Sequence, residues 1–154
     1  MIYNEIIDIL DGKFISYKIH KHGEVLTMRD VEEKLPFPID RLLKTLVFRI
    51  RDSSWILAVL KGRDRIDYRK LAQALNVRRQ DIIRPSVEEI ESKLGFQIGG
   101  ICPIPTKHDI RVVFDKSILD LDSVYCGVGR NDRSLEIRLA DLLRASGGII
   151  QRIT

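Results

Sequence analysis

The chain has 154 residues, 44% of them hydrophobic and 31% charged, with a formal net charge of +4. This balance suits a single folded globular domain over residues 1–154 and excludes a disordered chain. No apolar run approaches the ~20 residues of a membrane-spanning helix. The opening lacks a secretory signal, and the two cysteines, Cys102 and Cys126, read as reduced thiols of a cytoplasmic protein.

In chain order, Ile2, Ile6, Ile7 and Leu10 share one helical face, with Gly12 placed to end the helix. Phe14 to His20 alternates as a strand. Thr27 caps a short helix through Leu35, which Pro36 and Pro38 stop. Thr45–Ile50 and Trp55–Leu60 are strands joined by a hairpin loop at Asp52–Ser54. Asp67 caps a helix carrying Leu71, Ala72 and Leu75. Ser86 and Glu89 form a capping box whose helix ends at Gly95. Strands follow near Arg111–Phe114, Val124–Val128, Leu135–Leu139 and Ile149–Ile153, with a helix over Ala140–Ala145. The order does not alternate as a doubly wound sheet would. The expected fold is a mixed α/β (α+β) domain, with a curved, largely antiparallel mixed sheet and helices around it.

Charge is concentrated locally. Lys61, Arg63, Arg65, Arg69, Lys70, Arg78, Arg79 and Arg84 stand against Asp64, Asp67 and Asp81. Such a segment draws a polyanion, or is a solvated helix face. No G-x-S-x-G elbow, Walker loop, Rossmann fingerprint or H-E-x-x-H helix occurs, and His20, His22 and His108 have no metal-site spacing.

Three features carry chemistry. Lys44 sits among apolar residues at the mouth of a strand, where a partly desolvated ammonium binds an anionic or carbonyl oxygen strongly, or else snorkels to solvent. Gly99-Gly100 precedes Cys102-Pro103 and lets backbone N–H groups approach a ligand, or forms an ordinary turn. Tyr125 to Arg130 is a Gly-rich strand end and hairpin before Leu135–Leu139.

These pieces, with Leu57-Ala58-Val59 and Asp67-Tyr68-Arg69-Lys70-Leu71-Ala72, occur in one ordered set. On that set the chain resembles the YbaK family of free-standing aminoacyl-tRNA deacylases and the editing insertion domain of bacterial prolyl-tRNA synthetase. The resemblance runs from about Phe14 to Ile153. It implies hydrolysis of the ester between a small amino acid, such as Cys or Ala, and the terminal ribose of tRNA for proline. Such a second site removes errors that a synthetase pocket cannot exclude.

The resemblance also assigns residues. Lys44 matches a lysine that holds the terminal phosphate or the ester, and Gly99, with Gly100 beside it, matches backbone donors to the ester carbonyl. Thr45, His22, Met28, Cys102, Gly127 and Glu136 fall at or near substrate-binding positions, with His22 and Met28 equally open as core or surface residues and Cys102 as a small packing residue. Glu136 would meet the amino group, or else be a solvent-facing strand residue. From the local charge excess, and not from the resemblance, Lys61, Arg63, Arg69, Lys70, Arg78 and Arg79 are the expected tRNA-binding cations.

An activated ester needs only oriented donors and a placed water. A ribose hydroxyl or the substrate's own side chain is thought to help, and no metal or cofactor is implied. The expected partners are the acceptor end of tRNA and an aminoacyl-tRNA synthetase. The chain departs from the pattern in two places. Cys102 stands for the usual Ser of Gly-Gly-x-Ser-Pro, and Gly127 replaces a Ser in a lengthened hairpin from Gly127 to Ser134. The alternative function is a non-catalytic tRNA-binding or synthetase-associated module on the same fold.

Overall fold

The computed structural model describes residues 1–154. Helix α1 (Ile2–Gly12) buries Ile6 and Leu10 completely. Gly12 is its last residue, but the left-handed turn that follows is made by Phe14 at φ 57°. Phe14 and Ile15 donate their N–H groups to the Asp11 and Leu10 carbonyls. Both residues are therefore used in closing the helix. Strand β1 begins only at Tyr17 and runs to Lys21, three residues later than the alternation predicts.

Local capping signals explain most of the remaining helix boundaries. The Thr27 hydroxyl and the Asp30 carboxylate form a capping box on α2 (Met28–Lys34). Asp67 accepts from the Arg69 and Lys70 N–H groups at the start of α3 (Tyr68–Leu75). Ser86 and Glu89 cap α4 (Val87–Glu89), which continues as a π-helical turn to Leu94 and stops at Gly95, φ +82°. The last helix, α5, spans Leu139–Ser146.

The strands divide between two sheets, where one was expected. β6 (Ser123–Gly127) and β7 (Arg133–Arg138) join β1 in an antiparallel three-stranded sheet of order β1-β7-β6. The other sheet has the order β4-β2-β3-β5-β8, built from β2 (Leu43–Ile50), β3 (Trp55–Lys61), β4 (Ile82–Ile83), β5 (Ile110–Asp115) and β8 (Ile149–Gln151). It is mixed, because β3·β5 and β5·β8 are parallel. The period of two sorts the larger sheet's side chains. Leu43, Val47, Leu57, Val59, Val112 and Phe114 face the main core, with α1, β6, β7 and α5. Phe48, Ile50, Ile56, Ala58 and Val113 face a smaller core under α3.

One detail of this sheet prepares the functional site. β4 pairs with β2 only at Arg49 and Ile50. On the β3 side, Ile50 donates to the Ser54 carbonyl, which puts even-numbered residues in the hydrogen-bonded pairs. Thr45 therefore turns its backbone N–H and C=O away from β3, along an edge that β4 leaves uncovered.

The chain end is held by Asp115, which is 1% exposed. Its carboxylate accepts from the Ile153 N–H at 2.8 Å, the Thr154 hydroxyl at 3.1 Å, and the N–H and hydroxyl of Ser117. Burial works to raise its pKa, but these hydrogen bonds outweigh burial and hold it below the usual value. Asp115→Ala is expected to cost about 2–3 kcal/mol in urea unfolding at pH 7. A depressed carboxylate contributes in full above its unfolded pKa of about 3.9. The gap between wild type and variant should therefore hold from pH 7 down to about pH 5, and shrink as pH falls through the folded value.

Candidate active site

A cavity of about 440 Å³ opens beside the uncovered stretch of β2. Five consecutive residues, Leu42 to Leu46, line it. Alternate residues of a strand face opposite ways, so a run of five means that the cavity lies off the strand edge. Lys44 and Thr45 can therefore both reach it. Around this edge stand Leu26, Thr27, Met28 and Val31 near α2, Phe37, Arg84, Ile98, Gly99 and Ile101, Tyr125, Cys126 and Gly127 of β6, and Ser134 of β7.

Lys44 is half-buried and forms neither a hydrogen bond nor an ion pair within the chain. Burial lowers its pKa, Asp64 pulls it back up, and Arg65 lowers it further. Arg84, exposed and also without an ion pair, holds its guanidinium carbon 5.4 Å from the Phe48 ring centroid. Two uncompensated cations thus share one wall, which favours an anion or a carbonyl oxygen.

The Thr45 hydroxyl is buried with no hydrogen-bond partner in the protein. A buried unsatisfied hydroxyl is costly unless a ligand satisfies it. Thr45→Val is expected to leave the thermal midpoint unchanged or raise it by a few degrees, since the orphaned hydroxyl goes with it.

Gly99 occupies the third position of a turn closed by the Gly100 N–H on the Gln97 carbonyl at 2.9 Å. Its φ is +91°, and a Cβ there would run into the Val25 carbonyl. Only glycine allows this approach, which closes the cavity floor under Leu26 and Thr27. The Gly99 N–H has no acceptor within the protein. Gly100 differs from expectation. Its N–H closes the turn, its carbonyl accepts from Gly129 at 2.6 Å, and it does not line the cavity.

The lengthened hairpin acts as a brace. Its Asn131 N–H donates to the Gln97 side chain at 3.0 Å, and the Gln97 N–H donates to the Gly129 carbonyl at 3.1 Å. Val25 and His22 donate to the Asn131 and Asp132 carbonyls. Arg130 and Asp132 stiffen the loop with two 2.9 Å bonds. At Gly127 a Cβ would strike the Ile101 carbonyl, so a serine does not fit without moving that segment.

Lys44, Thr45, Met28, Gly99 and Gly127 thus meet at one cavity, and the other expected site residues lie outside its lining. Cys102 is wholly buried in the core, where burial pushes its thiol up to about 12, opposed by an Ile104 N–H. Cys126 lines the cavity instead, its thiol also raised by burial. Neither thiol is a nucleophile near neutrality. Glu136 pairs with His20 at 2.8 Å rather than facing the cavity. His22 stands behind Ser134, its Nε2 2.8 Å from that hydroxyl.

Sequence reasoning passed over Phe37, Arg84 and Ser134 as site residues, and singled out Tyr125 and Cys126 only as part of a Gly-rich strand end and hairpin. Phe37 and Tyr125 stack at 4.4 Å between centroids, 16° from parallel. The flanking Pro36 and Pro38, which hold Phe37 in an extended loop, were the available signal.

The basic segment is not one free patch. Lys61 pairs with Asp120, Arg63 with Glu32 and Arg78 with Asp81. Lys70 donates to the Thr154 carbonyl at 2.7 Å, and Arg79 lies 4.0 Å over the Tyr68 ring. Arg69 has no ion-pair partner. No helix is long and apolar enough to cross a membrane.

A protein from Bacillus subtilis, YwhH, itself uncharacterised, is 28% identical over 116 residues, 75% of this chain and 72% of its own length. A proline–tRNA ligase of Halalkalibacterium halodurans is 29% identical over 123 residues, 80% of this chain. The chain spans only 21% of that ligase. EbsC of Enterococcus faecalis, provisionally named a Cys-tRNA(Pro)/Cys-tRNA(Cys) deacylase, is 23% identical over 129 residues, 84% of this chain and 77% of its own. A crystal structure provisionally described as a trans-editing enzyme for prolyl tRNA synthetase shares the fold, with a TM-score of 0.83 at 18% identity, covering 99% of this chain and 96% of that one. The model of the aminoacyl-tRNA editing domain matches residues 22–145, which span every residue lining the cavity. The chain belongs to the aminoacyl-tRNA editing domain family, related to the editing insertion domain of prolyl-tRNA synthetase.

Proposed function

We propose that this chain is a deacylase that hydrolyses the ester between a small amino acid and the terminal ribose of a mischarged tRNA. The single observation that carries this reading is the meeting, in one cavity, of an unpaired lysine, an unsatisfied hydroxyl and a free glycine N–H. Lys44 and Arg84 hold the terminal phosphate or the ester oxygen. The Gly99 N–H donates to the carbonyl oxygen as negative charge develops on it. The Thr45 hydroxyl and the free edge of β2 position the aminoacyl group. The Phe37–Tyr125 stack offers a planar apolar surface of the kind on which a nucleobase lies.

The small volume and apolar walls, including Met28, Val31 and Cys126, suit a short side chain. Cysteine or alanine on tRNA for proline is the proposed substrate. The relative named for Cys-tRNA deacylation supports the first.

Lys61, Arg63, Arg69, Lys70, Arg78 and Arg79 are the proposed contacts to the acceptor stem. The surface ion pairs of Lys61, Arg63 and Arg78 exchange readily for phosphate, and Arg69 has no pair to give up. A synthetase that delivers the tRNA is the proposed partner.

The test is a panel of tRNAs charged with Cys, Ala, Ser or Thr. Release of one or more of these amino acids, at a rate proportional to protein, is the expected result. Salt-sensitive binding without release from any of them would replace the deacylase reading with the non-catalytic binding module.

A further inference from the structure

Arg79 and Arg84 flank the short strand β4, one before it and one directly after it. Both are exposed, and neither side chain forms a hydrogen bond or an ion pair within the chain. Asp81 is the one carboxylate between them in sequence, and it is already shared by Arg78 at 3.0 Å and Arg51 at 3.6 Å. Lys61, Arg63 and Arg78 are engaged in ion pairs, and Lys70 is tied to the Thr154 carbonyl.

The two free guanidinium groups are nonetheless held in place. Arg84 lies 5.4 Å from the Phe48 ring centroid and Arg79 lies 4.0 Å from that of Tyr68. The two rings meet edge to face, with centroids 5.6 Å apart and planes at 81°. Arg79, Tyr68, Phe48 and Arg84 therefore form one continuous stack, anchored by Phe48, which is wholly buried. Ordering a loose arginine on a ligand costs side-chain entropy. Stacking on a ring face meets part of that cost in advance, and none of the N–H donors is spent on the protein. A planar fork of free donors suits a phosphate better than any other common anion of a long chain.

The stack also has a direction. Arg84 lines the cavity beside Lys44, whereas Arg79 stands outside the lining. Five residues along the chain separate them, so their Cα atoms are at most about 17 Å apart. A stacked nucleic-acid strand advances about 3.4 Å per nucleotide, so it crosses that interval within about five nucleotides. A ligand that meets both groups carries negative charge at two points along an extended chain, one of them at the cavity mouth. A single strand of RNA has that form.

We propose that Arg84 and Arg79 form a phosphate track that leads the unpaired 3′ end of tRNA into the cavity, with Arg84 on a phosphate at the mouth and Arg79 on one nearer the stem. The proposal rests on the reading of tRNA as the substrate. Both arginines are positioning residues that hold the strand and take no part in breaking the ester.

The test measures binding of uncharged tRNA to the intact chain over a series of salt concentrations, beside the same tRNA trimmed of its unpaired 3′ end. Arg79→Met and Arg84→Met keep an apolar side chain over each ring and remove the charge. Each is expected to weaken binding of intact tRNA about tenfold. Each should also flatten the dependence of log affinity on log salt by about 0.7, the share of one single-strand phosphate. Lysine at either position should keep the salt dependence and recover only part of the affinity, since it lacks the fork. Trimmed tRNA should bind wild type and both methionine variants alike. Lys13→Met, which removes an exposed charge at the far end of β1, should change nothing. In the tRNA panel the loss should appear in KM rather than in kcat.

Intact tRNA that binds both methionine variants as it binds wild type overturns the track. So does an equal loss of affinity for trimmed tRNA, which would place both arginines on the stem. Release from charged tRNA by a wild type with either of these results leaves the deacylase reading standing without the track. Binding that depends on Arg79, Arg84 and the unpaired end, without release from any charged tRNA, supports the track and defeats the deacylase reading.

Discussion

Lys44→Met is expected to lower amino acid release at least about 10²-fold in the tRNA panel while raising the thermal midpoint of the protein. Both effects have one cause. The ammonium is held half out of water with no partner, and burial, the largest influence on it, disfavours its charged form. A methionine of similar length keeps the packing and removes the desolvated charge. Structure that stores an unfavourable charge beside a cavity does so at the expense of stability.

The sign of the pH dependence follows. For a lysine whose folded pKa is lowered, the cost of holding the charge is fully present below the folded pKa. It is relieved as pH rises through that value toward the unfolded one, about 10.4. Wild type should therefore approach Lys44→Met in stability on the alkaline side. Turnover that needs the ammonium should fall over the same range, below the pH at which an ordinary lysine deprotonates. A variant that is less stable than wild type at pH 7 would show that Lys44 is held by favourable contacts, and would remove the premise of a ligand-seeking cation.

Gly99→Ala carries the second large effect. Two penalties coincide at this position, a φ of +91° and a Cβ directed into the Val25 carbonyl. The backbone strain alone is worth about 1–3 kcal/mol, and relieving the collision must push Val25 and Leu26 outward. The expected loss is about 3 kcal/mol or more in urea unfolding, with turnover lost because the floor beneath Thr27 and the free N–H move together.

Gly147 is the control. It also has a positive φ, +64°, but a Cβ there meets nothing within 4 Å. Gly147→Ala should cost only about 1 kcal/mol and leave turnover unchanged. Equal effects of the two substitutions on activity would show that the Gln97–Gly100 turn matters to the fold and not to the site.

Much of this protein is legible in short stretches of its sequence. The Thr27, Asp67 and Ser86 caps and the stop at Gly95 depend on groups within about four residues of one another, and each stands where its neighbours dictate. The wholly apolar run Trp55–Leu60 likewise announces a central strand covered on both faces. Lys44 and the double glycine stood out through their place in the ordered motif set of the family, since by themselves a snorkelling lysine and an ordinary turn fit equally well.

Only the tertiary structure decided which residues share the cavity. Ser134 and His22 lie 112 residues apart and meet because β1 pairs with β7 in one register out of several possible. Strand pairing likewise turned Glu136 toward His20, sent Cys102 into the core, and brought Cys126 to the wall. Local sequence determines an element's type and ends because those depend on near neighbours. A site is set by register and by which strand edges stay uncovered, and those are properties of the assembled sheets.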